Sequence, residues 1–213
     1  MAMDYSDALG VEFREVRGAA YDGKPVRVVR GARTYATDPD DLWDALTNIE
    51  RIPRWFLPIT GDLRLGGRYQ LEGNAAGEIT RCDPPEALDA TWEFGGHVSW
   101  VTVRLAFDGD GTRLTLEHTM LKDEAGEEHW AQFGPGATGV GWDLSFLGLA
   151  LHLDSGGAPI DRDANDAWMA SDAGKAFMRA CADAWGAAHI AAGEAPDVAR
   201  AMAARTGAAY VGE

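Results

Sequence analysis

Hydrophobic and polar residues alternate most clearly in the middle of the chain. Leu88, Ala90, Trp92 and Phe94 share one parity. Val101, Val103, Leu105 and Phe107 do the same, with Thr102 and Arg104 between them, and Leu114, Leu116 and His118 alternate against Arg113, Thr115 and Glu117. A period of two with one apolar side predicts antiparallel strands covered on a single face. Glycine or proline clusters at Gly61, Gly66-Gly67, Gly73, Gly77, Pro84-Pro85, Gly95-Gly96 and around Gly109 bracket these short runs, as expected of a meander. Upstream, residues 26–36 read as a strand. Asp38-Pro39 then opens a helix, with Asp38 as cap, Pro39 at the first position and an apolar face of Leu42, Trp43, Leu46 and Ile49. A second short helical piece, residues 50–56, breaks at Pro53 and stops before Pro58.

The period lengthens to that of a helix over residues 136–153. Val140, Leu144, Leu147 and Leu151 form one stripe and Trp142, Phe146, Leu149 and Leu153 a second, so the apolar arc is wider than a surface helix needs. This helix is expected to cover the apolar sheet face. A third stripe, Gly141, Ser145, Gly148 and His152, fits either close approach to the sheet or room for a ligand. The stretch 155–213 is rich in alanine and predicted helical. Ser171 or Asp172 caps one helix whose face carries Phe177, Cys181, Ala184, Trp185 and Ala188, and Pro196 opens another that stops at Gly207. Residues 1–24 carry little pattern and read as a mobile leader, with a short strand near residues 11–16. The expected organisation is therefore a leader (1–24), a main domain (25–154) and a docked helical extension (155–213).

Charge narrows the partners. The 213 residues carry 34 acidic and 19 basic side chains, a formal net charge of −15. Nucleic acid and anionic membrane surfaces both select for clustered Lys and Arg, so neither is an expected partner. Cys82 and Cys181 are too few for a disulfide framework and form no C-x-x-C pair. The acidic start of the chain does not read as a signal peptide, and the longest apolar stretch is interrupted by Asp143 and His152, so a cytoplasmic protein without membrane insertion is expected. The five histidines show no H-x-x-x-H or H-E-x-x-H spacing, and no metal or other cofactor is expected.

Particular residues then bring a family into view. Trp55-Phe56-Leu57-Pro58, Gly61-Asp62-Leu63-Arg64, Gly66-Gly67-Arg68-Tyr69 and Cys82-Asp83-Pro84-Pro85 occur in series. Thr91-Trp92-Glu93, Leu116-Glu117-His118-Thr119 and Gly139-Val140-Gly141-Trp142 follow. The series resembles the START-like superfamily, also called SRPBCC, and within it the branch named after the activator of the heat-shock-protein-90 ATPase. The tail, through Asp183-Ala184-Trp185-Gly186 and Arg205-Thr206 to Glu213, resembles bacterial single-domain members. The resemblance implies an α+β helix-grip fold: a curved antiparallel sheet of six to seven strands around a long C-terminal helix, with a cavity between them. It also implies binding of lipids, sterols, polyketides or other apolar molecules, in some bacterial members as sequestration and resistance. A minority of members are cyclases or aromatases, and co-chaperone function belongs to larger proteins with a further N-terminal domain that nothing here matches.

On this reading the chain binds an apolar or aromatic small molecule, as a monomer or homodimer. The expected ligand contacts are Trp55, Phe56, Tyr69, Trp92, Trp100, Val103, Leu116, His118, Phe133, Trp142, Ser145 and Phe146. Aromatic walls suit flat apolar ligands, because stacking adds roughly 0.5–1.5 kcal/mol per good pair. His118 falls beside Leu114 and Leu116 and is either a satisfied core histidine or a polar contact to a ligand carbonyl or phenol. Residues 129–136 are expected to form a loop between the last strand and the long helix, either a lid at the cavity mouth, with Trp130 and Phe133 over it and the glycines around Pro135 as a hinge, or an ordinary loop fixed by one aromatic anchor. No residue is assigned a catalytic role. An enzyme would need a second titratable group beside His118, for which Asp143 and His152 are the candidates, and a protein-interaction domain would need an exposed docking surface.

Overall fold

The computed structural model describes residues 13–213. An eight-stranded antiparallel sheet runs in the order β1-β2-β8-β7-β6-β5-β4-β3. Its strands are β1 (Phe13–Tyr21), β2 (Lys24–Tyr35), β3 (Ile59–Gly61), β4 (Arg68–Leu71), β5 (Ala76–Asp83), β6 (Ala87–Phe94), β7 (His97–Asp108) and β8 (Gly111–Leu121). Six helices accompany it: α1 (Pro39–Thr47), α2 (Glu124–Phe133), α3 (Gly136–Asp154), α4 (Arg162–Ala170), α5 (Asp172–Ala191) and α6 (Pro196–Tyr210). This is the expected α+β helix-grip arrangement with its meander in sequence order. The leader's first twelve positions lie outside the described residues; from Phe13 onward the chain is a full strand, longer than the short one expected there.

Local chemistry explains most boundaries. Asp38 accepts a hydrogen bond from the Asp41 amide at 2.8 Å, and Pro39 starts α1 as expected. β6 and β7 are closed by Gly95 and Gly96 at φ 60° and 82°, between the paired residues Phe94 and His97. Two consecutive positive φ angles make the tight turn whose twist matches a hairpin, and glycine reaches them without steric cost.

Two expectations change. Residues 124–133 form α2 rather than a loop, because Asp123 caps it through the Gly126 amide at 2.9 Å and Glu124 and Glu127 occupy its first turn. Gly134, at φ 62°, then ends α2 and Pro135 leads into α3, so Gly134-Pro135-Gly136 is a corner between two helices and not the hinge of a lid. The last helix also continues through Gly207 to Tyr210, where a stop was expected. A Cβ at Gly207 would stand 3.4 Å from Arg179 and 3.7 Å from Ala182, so this glycine serves helix packing rather than capping.

The chain divides into two compact units. The first comprises the described residues up to Gly31, with Leu121–Leu144 and Asp161–Glu213; the second comprises Ala32–Met120 and Ser145–Ile160. Within the first, the α5 side chain of Trp185 is fully buried and lies on Gly139 of α3, where a Cβ would come within 2.2 Å of the indole. Its Nε1 donates to Asp143 Oδ2 at 3.0 Å, and Arg14 of β1 donates twice to the same oxygen at 3.0 and 2.9 Å. Within the second, the Tyr35 hydroxyl donates to the Phe146 carbonyl at 3.1 Å, and Gly148 places α3 against the Trp55 carbonyl, 2.8 Å from where a Cβ would stand. Gly139 and Gly148 are therefore points of close backbone approach.

Candidate functional site

The second unit carries a continuous apolar wall, and strand register builds it. Leu88 pairs with Val103 and Val103 with Leu116; Ala90 pairs with Val101 and Val101 with His118; Trp92 pairs with Ser99. Directly paired residues share a face, so all of these side chains lie on one side of the sheet. Toward β4 the same face holds a buried cluster of Tyr69, Leu71, Ile79 and Ala90. Half-buried Phe56, Leu57, Leu63, Cys82, Leu88 and Trp92 pack against it. The opposite face is polar, with ion pairs between Arg68 and Glu93 at 2.7 Å and between Arg104 and Asp89.

Tyr69 depends on a missing side chain. It pairs with Gly77 on the neighbouring strand, and a Cβ at Gly77 would sit 2.8 Å from both the Tyr69 ring and its hydroxyl. Without that carbon the phenol lies across β5, and its hydroxyl donates to the Thr91 carbonyl of β6 at 2.7 Å. Burial raises the Tyr69 pKa well above the usual phenol range, so the hydroxyl stays protonated.

His118 is the polar element of the wall. It is 6% exposed, its ring edge meets Trp92 at 5.8 Å, and its Nε2 lies 2.8 Å from the Ser99 hydroxyl. The single Ser99 proton goes to the Trp92 carbonyl at 3.1 Å, so in this arrangement His118 Nε2–H donates and Ser99 Oγ accepts. Burial pushes the His118 pKa down to about 4. At neutral pH the ring is uncharged and acts as a hydrogen-bonding group on an otherwise apolar surface.

The structure thus brings together Phe56, Tyr69, Trp92, Val103, Leu116 and His118. Trp55 stacks on Phe56 at 5.4 Å, while its Nε1 donates to the Ala45 carbonyl of α1 at 2.9 Å, which anchors it to the scaffold. Ser145 is half-buried and Phe146 fully buried in the α3 segment of the same unit. Trp100 is a correction: it pairs with Thr91 and Thr119, on the polar side of the sheet, because its parity is opposite to that of Val101 and Val103. Phe133 and Trp142 belong to the first unit. Phe133 ends α2, where its carbonyl accepts from Thr206 at 2.7 Å, and Trp130 is buried beneath the Arg27 guanidinium; neither side chain belongs to a loop. Ser99 was not singled out from sequence, although it continues the parity of Val101 and Val103 and marks where the apolar row meets a hydroxyl.

The two groups that would make His118 one of an acid–base pair are each committed. Asp143 is held by Arg14 and Trp185. His152 accepts from Arg51 Nε at 3.0 Å and donates from Nδ1 to the Ala158 carbonyl at 2.9 Å, while Arg51 also bonds Asp41 and Asp44. Arg51 lowers the pKa of both carboxyls. Among the described residues no cluster of three or more His, Cys, Asp or Glu is arranged to hold a metal ion.

The model of the family described as Activator of Hsp90 ATPase homolog 1-like protein matches residues 36–153, more than half of the chain. The chain belongs to that family, within the START-like superfamily. CalU16 from Micromonospora echinospora is similar over most of both chains. Its crystal structure is 29% identical and superposes with a TM-score of 0.62, covering 83% of this chain and 97% of CalU16. Its solution structure gives 30% identity and a TM-score of 0.67, covering 85% and 96%. DynU16, a protein in the dynemicin biosynthetic locus, shares the fold at 22% identity and a TM-score of 0.54, over 62% of this chain and 48% of DynU16. No curated protein matches the sequence. The family match spans α1 through α3 and therefore contains every residue of the wall around His118. α4 to α6 lie beyond it.

Proposed function

We propose that the protein binds an apolar or aromatic small molecule, lipid-like or polyketide-like, against the wall formed by Phe56, Tyr69, Trp92, Val103, Leu116 and His118. It acts as a cytoplasmic carrier or sequestration protein rather than through turnover. The observation that carries this reading is a layer of half-buried aromatic and aliphatic side chains over a buried cluster, ending at a neutral buried histidine. Apolar surfaces with a few placed polar groups are what small-molecule sites are made of. Tyr69 spends its proton on a backbone carbonyl, so toward a ligand its oxygen can act only as an acceptor. That favours a ligand bearing hydroxyl or phenol donors. The commitment of Asp143 and His152 to other partners weighs against acid–base turnover, which needs converging titratable groups.

Native mass spectrometry of protein purified from its natural host tests the proposal. Extra mass that leaves on denaturation, and a loss of affinity of about tenfold for the released compound in Trp92→Ala, is the expected result. Protein that remains without ligand after incubation with host extract would overturn it.

A further inference from the structure

We propose that a cleft in the first unit is an oxyanion site, taking the carboxylate or phosphate group of a small molecule. It encloses about 270 Å³ and shares no residue with the wall around His118. Its cationic side chains are Arg17, Arg27 and Lys122, and among the described residues Glu194 is the only carboxylate that lines it. In a chain of net charge −15 this is a local reversal of sign.

The cations are set in different ways. Arg27 lies 4.5 Å over the Trp130 ring and is bound in a two-pronged pair by Glu127, so its charge is largely neutralised and its position fixed. Lys122 ends over Gly18: a Cβ there would meet only the Lys122 Nζ, at 4.0 Å. Gly18 thus leaves open the space that a side chain would take. Glu194 has contacts of its own. One of its oxygens accepts from the Ala195 amide at 3.0 Å, at the start of α6, and the other lies 3.6 Å from His189 Nε2. A carboxylate at a helix start is already stabilised there.

His189 completes the site. Its side chain is 7% exposed, its ring meets the edge of Trp130 at 5.4 Å, and its Nδ1 is buried without a hydrogen-bond partner. Burial and the nearby Arg27 lower its pKa, and Glu194 opposes them. An oxyanion entering beside Lys122 adds negative charge near this ring and favours its protonated form, in which Nε2–H faces Glu194 and Nδ1–H stays buried against Gly134, so the ring reports the anion through its field rather than by donating to it. The field of the whole chain repels free anions, so saturable anion binding reports this site and not the general surface.

The test is calorimetric titration of the full chain with inorganic phosphate and with acetate, in a buffer free of other oxyanions, together with NMR titration of the His189 ring. Saturable binding is expected, with the His189 titration moved to higher pH by the anion. Phosphate bound tenfold more tightly than acetate assigns a phosphate group; equal binding assigns a carboxylate. Lys122→Gln, an exposed substitution, is expected to weaken binding about tenfold and to abolish the His189 shift. Gly18→Val, which fits a strand and fills the cleft, is expected to do the same. Arg64→Gln, on a side chain 80% exposed in the second unit, is the control. The proposal fails if neither anion binds, if Lys122→Gln binds like the unsubstituted protein, or if Arg64→Gln loses as much.

Discussion

At the scale of single residues, His118 ties the wall to pH. Its folded pKa of about 4 lies below the ordinary histidine value of 6.5. Between these values the unfolded chain binds the proton and the folded chain does not, so stability rises with pH across that window and is lost as pH falls through it. The penalty is absent above about pH 7 and amounts to roughly 2 kcal/mol at pH 5. His118→Phe keeps the volume of a ring and removes this dependence. Urea unfolding at pH 7 and pH 5 is therefore expected to show a smaller loss on acidification for the variant than for the parent protein. Equal losses would place the titration elsewhere. Ligand affinity at the wall is expected to stay flat from pH 6 to 8, because His118 remains neutral throughout, and to drop in His118→Phe.

At the scale of elements, α3 offers an internal comparison. Gly139→Ala places a methyl carbon 2.2 Å from the buried Trp185 indole, which is held by a hydrogen bond to Asp143, itself fixed by Arg14. Overpacking of this kind costs about 1–3 kcal/mol, more than the roughly 1 kcal/mol of helix propensity that alanine adds. Gly141→Ala meets only the Tyr210 hydroxyl, at 3.3 Å, which donates to the Ala137 carbonyl at 2.9 Å and must give by a few tenths of an ångström, so a smaller loss than that of Gly139→Ala is expected. Thermal melts of the pair check the ordering. Much of this architecture was legible in the pattern of residues. Period two gave β6 to β8 and the wall they carry, a capping aspartate followed by proline gave α1, and the wide apolar arc gave α3. α2 was not legible, because Trp130 and Phe133 beside Gly134-Pro135-Gly136 suggested a loop, while the decisive cue was the Asp123 cap upstream. Trp100 has the residue type of a wall contact but the parity of the polar face, and parity decides where its side chain goes. The cleft of Lys122 and His189 left no trace in the pattern, since its side chains come from two strands, a strand end, two helices and a turn with no fixed spacing between them.

At the scale of the molecule, the Ala-rich tail is part of a core. α5 and α6 bury Phe177, Met178, Trp185, Met202 and Ala203 in the first unit, together with β1 and the start of α3. The short alanine side chains let helices approach, as where a Cβ at Gly186 would come 2.9 Å from Ala203. Deleting residues 161–213 removes Trp185 from the Arg14–Asp143 pair and uncovers the apolar side of β1. The expected outcome is a poorly soluble chain that binds a hydrophobic dye such as ANS, read by sedimentation and fluorescence; a truncated protein that melts like the full chain would contradict it. No helix among the described residues is long and apolar enough to cross a membrane.

The phenol laid across Gly77 also constrains how relatives can vary. Any side chain at position 77 collides with the aromatic ring of position 69, and with the Thr91 carbonyl as well. The nearer of the two clashes is with that carbonyl, 2.0 Å from such a Cβ, so replacing Tyr69 alone does not make room. A relative with a larger residue at the position of Gly77 is expected to have rebuilt the pairing of β5 with β6 at this point, and with it the floor of the wall on which the tyrosine lies.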